Sequence, residues 1–347
     1  MTRPTLRIAA FCVFCTLCAG SVSTRADDAL PTTWTDLRSA AAEMTESQKY
    51  DEALALIDKC GPGLVDRRFE ISDLKLEILF TAERHDEAMD VWEKGVDAGD
   101  FYFVIPRTPT YDPVRKSERF RSLLERNNRL RDAANDASKP EFEIVAPASY
   151  SPEGSYPLVM VIHGGNQSIV KAMERWDPKA IGDDVIIAYV QSSMRADSKS
   201  YRWDLSGVDI YSRGKAQDEV LGLYLEIIEA YPVDTAQVAL AGFSQGGNLA
   251  LFMASEGTIP AKGMIVGCPA TRSPVPAETA RAAAERGLSG TIFVGATDWT
   301  ASATQSTVDN FTEAGAVLNH IVMEEKGHEF PDDFDAVLRG AVERIYR

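Results

Sequence analysis

Cysteine is scarce in this chain and poorly placed for bridging. Five occur in 347 residues. Cys12, Cys15 and Cys18 sit inside one N-terminal apolar run, which leaves Cys60 and Cys268. Two are too few for a disulfide framework, and neither has the spacing of a zinc site. They fall in segments read below as different domains, so a bridge between them is not favoured. Histidine is scarcer still, with four residues, and each can be followed individually. Past the first residues, no apolar stretch is long enough to span a membrane. Positive charge is in deficit: 36 Lys and Arg against 52 Asp and Glu give a net charge of −16. Such a chain repels phosphate backbones, which excludes non-specific nucleic-acid binding. Neither Pro nor Gly is in excess, so nothing points to a disordered or fibrous chain. The length suits two domains better than one.

What is present begins with a leader-like segment. Arg3 and Arg7 give a positive start, Ile8 to Ala19 is apolar and uncharged, and small residues lead to Ala26 before Asp27 and Asp28. That is the layout of a secretory signal peptide over 1–26. The apolar run is short for a membrane span; an uncleaved anchor is the alternative. Cleavage after Ser23 or Ala26 would leave a small residue at the end. Cleavage after Ala26 removes Arg3, Arg7 and Arg25 and no acid, taking the net charge from −16 to −19. The expected product is secreted or periplasmic, with no stable membrane span once the leader is gone.

Residues 27–130 read as a helical domain. Trp34 to Leu37 opens one pattern, and Ala53, Leu54, Leu56 and Ile57 continue at helical spacing until Gly61-Pro62-Gly63 stops it. Leu74, Leu76, Ile78 and Leu79 mark another helix, and Ala88, Val91, Trp92 and Val96 a further one. Tyr50-Asp51-Glu52-Ala53-Leu54 recurs as His85-Asp86-Glu87-Ala88-Met89, thirty-five positions on. Helix pairs at that period resemble tetratricopeptide repeats, with small alanines allowing close approach; a generic pair of helical hairpins is the alternative. Phe120, Leu123 and Leu124 belong to a closing helix, and 131–140 is expected to be a linker.

From 141 to 347 the rhythm becomes strands alternating with helices. Strands are expected at Glu141 to Ala146, Leu158 to Ile162, Val185 to Val190, Val238 to Ala241, Gly263 to Val266, Thr291 to Val294 and Leu318 to Met323. Most have helical patterns between them, and Asp332 to Tyr346 closes the chain. The implied class is α/β: a mostly parallel sheet covered by helices on both faces, preceded by a small all-α domain.

Gly242-Phe243-Ser244-Gln245-Gly246 is a G-x-S-x-G pentapeptide. It follows the strand Val238 to Ala241 and precedes a helix start, which is the setting of a nucleophile elbow. Ser244 is therefore the candidate nucleophile. His328, in the loop after the last strand, is the candidate base. Asp298, behind the penultimate strand, is the candidate acid that would orient it. Asp309 and Asp332 rival Asp298 on position alone, but sit in or beside helices. His163 ends an earlier strand, His320 opens one, and His85 is in the helical domain. Two backbone amides would stabilise an oxyanion: that of Gln245, after the nucleophile, and that of Gly165 in His163-Gly164-Gly165-Asn166.

With those pieces in order, residues 141–347 resemble the α/β-hydrolase superfamily. They are most similar to phospholipase/carboxylesterase and dienelactone-hydrolase-like esterases, which include acyl-protein thioesterases. The likeness rests on His163-Gly164-Gly165, Arg202-Trp203-Asp204, Gly242 to Gly247, Gly295 to Asp298 and Gly327-His328. It implies an eight-stranded type of sheet, a Ser-Asp-His triad and a substrate pocket near Trp203, with Trp299 beside it. Dienelactone hydrolases carry Cys where this chain has Ser244, and the helical domain is no part of the catalytic pattern.

The expected function is serine hydrolysis of small or medium carboxylic esters or thioesters through an acyl-enzyme, with no metal or organic cofactor required. A serine peptidase on the same fold is one alternative. The other is a binding protein whose helical domain holds a protein or peptide partner while the hydrolase domain serves as scaffold.

Overall fold

The computed structural model describes residues 30–205 and 214–346. The leader-like segment lies outside the described residues. The chain divides into two units: residues 1–137 with 196–199, and residues 138–195 with 200–347.

The first unit is helical. Its helices are α1 (Trp34–Glu46), α2 (Tyr50–Cys60), α3 (Arg68–Thr81), α4 (His85–Asp97) and α5 (Glu118–Ala137). Thr33 starts α1 by accepting the Asp36 amide on Oγ1 at 3.2 Å. Helix α1 packs on α2, and α3 on α4. Ala41, Ala53 and Ala88 are fully buried, as close helix approach requires. A buried asparagine ties the unit's last turns together. Asn127 Oδ1 accepts from Trp92 Nε1 at 3.0 Å and from the Tyr102 amide at 2.8 Å, while its Nδ2 donates to Tyr102 O at 3.0 Å. The short stretch 196–199 also belongs here: the Ser198 amide donates to Phe101 O at 3.0 Å. Most of the expected linker is helix, since 131–137 are the final turns of α5. Polarity there marks a solvated face, and only at Pro140 does the backbone lose the amide a helix needs.

The second unit is built on one sheet: β1 (Glu141–Val145), β2 (Tyr156–Ile162), β3 (Ile186–Gln191), β4 (Val233–Phe243), β5 (Gly263–Gly267), β6 (Ser289–Gly295) and β7 (Leu318–Met323). The order is β1-β3-β2-β4-β5-β6-β7. Strand β1 runs antiparallel to β3, and all other pairs are parallel. The described residues hold seven strands rather than the eight of the expected type. The helices are α6 (Ile169–Arg175), α7 (Pro178–Ile181), α8 (Lys215–Ala230), α9 (Gln245–Glu256), α10 (Ala277–Glu285), α11 (Ala301–Glu313) and α12 (Phe334–Tyr346).

Side chains of a strand alternate between faces, and β2 feeds two cores accordingly. Leu158, Met160 and Ile162 pack with Val220 of α8 and Leu249 of α9. Val159 and Val161 pack with Trp176 and with Leu338 of α12. Both faces being covered explains why the central strands read as unbroken apolar runs. No helix among the described residues is long and apolar enough to cross a membrane.

Candidate active site

Strand β4 ends at Phe243 and α9 begins at Gln245, so the whole reversal falls on Ser244. Its backbone sits at φ 57°, ψ −117°, a strained conformation for a residue with a Cβ. Backbone bonds fix it there. The Ser244 amide donates to Gly267 O at 2.9 Å, and Ser244 O accepts the amides of Asn248 and Ala270, each at 2.9 Å. The flanking glycines are required sterically. A Cβ on Gly246 would lie 2.0 Å from Ile162 O, and one on Gly242 would lie 2.4 Å from the Gly246 backbone.

Two further loops converge beside this turn. His328, after β7, places its ring centroid 4.9 Å from that of Phe243. Its Nδ1 lies 2.8 Å from Asp298 Oδ2. The loops carrying the two residues are joined: the Thr297 amide donates to Lys326 O at 3.0 Å, and Thr297 Oγ1 donates to it at 2.8 Å. Asp298 has no exposed side-chain surface. Its Oδ1 accepts the Thr300 amide at 2.9 Å. Burial works to raise its pKa, but the hydrogen bonds from His328 and Thr300 outweigh it and hold the carboxyl below its usual range. The positional rivals are engaged elsewhere. Asp309 accepts from Gln305 at 2.8 Å, and Asp332 pairs with Lys326 at 2.5 Å.

The loop after β2 meets the turn from its other side. A Cβ on Gly165 would lie 3.0 Å from Gln245 Cδ. Among the described residues, neither the Gly165 amide nor the Gln245 amide has an internal acceptor. His163 shapes this loop from beneath. The Ser192 amide donates to His163 Nε2 at 3.2 Å, so Nδ1 carries the proton and donates to Gly164 O at 2.5 Å. Burial lowers the pKa of His163 from 6.5 to about 4. Trp203 is fully buried: its ring stacks on His163 at 4.9 Å, and its Nε1 donates to His163 O at 2.8 Å. The Trp203 amide donates to Gln245 Oε1 at 3.0 Å. Trp203 thus supports the loop and offers no surface to solvent. Trp299 does: it is 37% exposed and lies nearly parallel to the His328 ring at 6.0 Å.

Sequence reasoning missed Cys268. Its Sγ, an Asp298 oxygen and a His328 nitrogen lie within 4.8 Å of one another. Among the described residues this is the one group of His, Cys, Asp or Glu side chains close enough to hold a metal ion. The His328–Asp298 hydrogen bond already uses two of its donor atoms. One signal could have found it: Cys268 follows a strand that neighbours β4, the strand leading into Ser244.

A parallel sheet with one antiparallel edge strand, a serine at a strained strand-to-helix turn, and a carboxylate–imidazole pair on the next loops together decide the architecture. It is the α/β-hydrolase fold.

No family model and no curated protein matches the chain. Among solved structures it is similar to an uncharacterized protein from Bacillus cereus ATCC 10987, at 21% identity over 90% of this chain and 99% of that one, with a TM-score of 0.48. It is also similar to esterase PE8, at 15% identity over 60% of this chain and 99% of that one, TM-score 0.47. A carboxylesterase from Bacillus cereus is similar at 12% identity, over 62% and 99% of the two chains, TM-score 0.46. None of these likenesses bears on what this chain acts upon.

Proposed function

We propose that the chain is a serine hydrolase that cleaves carboxylic esters or thioesters of small or medium acyl groups. The observation that carries this reading is the 2.8 Å contact between Asp298 and His328 on loops adjoining the Ser244 turn. In the proposed reaction, His328 takes the Ser244 hydroxyl proton as Oγ attacks the acyl carbon. Asp298, ionised, fixes the imidazole tautomer and balances the imidazolium. The amides of Gly165 and Gln245 receive the developing oxyanion, helped by the N-terminus of α9. His328 then protonates the departing alcohol or thiol, and water releases the acyl group from Ser244. The leader-like pattern of residues 1–26 supports the reading that this activity lies outside the cytoplasm.

A fluorophosphonate probe tests the assignment. Wild-type protein is expected to be labelled at Ser244 and to turn over a short-chain nitrophenyl ester. Ser244→Ala should lose the label and lower kcat on the order of 10⁴-fold or more while keeping its fold by circular dichroism. Undiminished turnover in that variant would refute the proposal.

A further inference from the structure

Along the sheet, the parts of the site fall on two sides of Ser244. The β2 loop with Gly165 flanks one side of β4, and β5 then β6 flank the other. The loop after β5 is fixed to the Ser244 turn. The Ala270 amide donates to Ser244 O at 2.9 Å, and Asn248 Nδ2 of α9 donates to Ala270 O at 3.1 Å. Thr271 Oγ1 donates to Ser273 O at 2.9 Å and accepts the Ser273 amide at 3.1 Å. The Val275 amide donates to Thr307 Oγ1 of α11 at 3.1 Å. Arg272 stands between these anchors and is exposed. Its guanidinium carbon lies 5.4 Å from the centroid of the Trp299 ring, within cation–π range. The Trp299 ring is in turn 6.0 Å from that of His328. A cation thus stands one aromatic ring away from the imidazole. Among the described residues Arg272 has no carboxylate partner, whereas Lys326, the cation of the His328 loop, is engaged by Asp332 and Glu329.

We propose that Arg272 and Trp299 form a specificity subsite for a carboxylate carried on the leaving half of the substrate, its alcohol or thiol. This rests on the serine-hydrolase reading. The choice of half follows from the chemistry. The departing oxygen or sulfur must come within reach of the His328 proton, while the oxyanion faces the Gly165 and Gln245 amides. The leaving half therefore extends along the His328 side, where Trp299 and Arg272 are. Trp299 is partly exposed and offers it a flat apolar surface. A guanidinium lying over a ring keeps its edge N–H groups, a fork that matches a carboxylate. The anchored loop fixes the backbone beneath Arg272 in advance, so less freedom is lost on binding. The rest of the chain works the other way, since a net charge of −16 repels anions. A preference for an anionic substrate accordingly needs a local cation, and Arg272 supplies it.

The test uses two matched pairs of esters with the full chain. In the first the charge is on the alcohol: para-carboxybenzyl butyrate against its neutral amide, para-carbamoylbenzyl butyrate. In the second it is on the acyl group: benzyl hydrogen succinate against benzyl succinamate. Wild type should favour the carboxylate in the first pair and not in the second. Arg272→Gln should lower the carboxylate-to-amide ratio of kcat/KM in the first pair about tenfold, mainly through KM. Arg272→Glu should reverse that preference, Arg272→Lys should keep part of it, and added salt should weaken it in wild type. Equal rates within the first pair overturn the proposal. So does a preference that survives in Arg272→Gln, or one that appears in the acyl pair instead. Fluorophosphonate labelling of wild type separates this from the underlying reading. Labelled wild type without the charge preference removes only the subsite, whereas unlabelled wild type that hydrolyses none of the four esters removes both.

Discussion

His163 illustrates how a polar side chain inside a core depends on its protonation state. Both ring nitrogens are committed, one as donor to Gly164 O and one as acceptor from the Ser192 amide. Only the neutral ring satisfies both, and a second proton would leave a charge with no solvent and an amide with no acceptor. The folded pKa, about 4, lies below the 6.5 of a free histidine. Between those values the unfolded chain binds the extra proton and the folded chain does not, so stability falls as the pH drops through this window. The slope approaches about 1.4 kcal/mol per pH unit. Urea midpoints measured from pH 7.5 to 4.5 should show that loss in wild type, and His163→Gln should flatten it. Ser244 and His328 were legible in the sequence because chemistry fixes their order and their places at element ends. Gly165 was legible from its loop. The burial of Trp203 was not, because only the tertiary fold sets its ring against His163. Cys268 was hidden for a related reason: it is remote in sequence from Asp298, and only the pairing of β5 with β6 brings them together.

Between residues and molecule, the elements follow two rules, steric room and hydrogen-bond supply. Two glycines show the first. Gly246 sits where a Cβ would collide with Ile162 O, whereas Gly340, within α12, has nothing within 4 Å of its would-be Cβ. Gly246→Ala should therefore destabilise the protein by about 2 kcal/mol or more, through overpacking of the elbow against β2. Gly340→Ala should stabilise it by about 0.5–1 kcal/mol from helix propensity alone. Chemical denaturation of the two variants side by side checks both signs. The second rule explains what the sequence concealed. Helices α6 and α7 are too short to show a clear apolar period, yet their ends are marked. Ser168 caps α6, and Asp177 accepts the Lys179 amide at 2.9 Å with Pro178 at the first helical position. The central strands were legible because burial on both faces makes them apolar throughout. The extent of α5 was not, since charge on a solvated face resembles a linker when only composition is weighed.

At the scale of the whole molecule, the change from helical to alternating rhythm near residue 140 announced two units, and the chain divides there apart from residues 196–199. That small exchange has no local signature, because it rests on tertiary contacts such as those between Ser198 and Phe101. Cys60 and Cys268, the free cysteines of the described residues, lie in different units. The backbone of Ser244 bears on the molecule's total stability. Its left-handed φ is natural for glycine and unfavourable for serine. Replacing Ser244 by Gly should raise the unfolding free energy by about 1 kcal/mol, read as a higher denaturant midpoint, while abolishing the fluorophosphonate label. Selection for stability alone would thus favour an inert protein. On the serine-hydrolase reading, a serine kept at this turn marks a site in use: across descendants of this chain, loss of activity should be followed by drift of position 244 toward glycine, with its flanking glycines retained for shape.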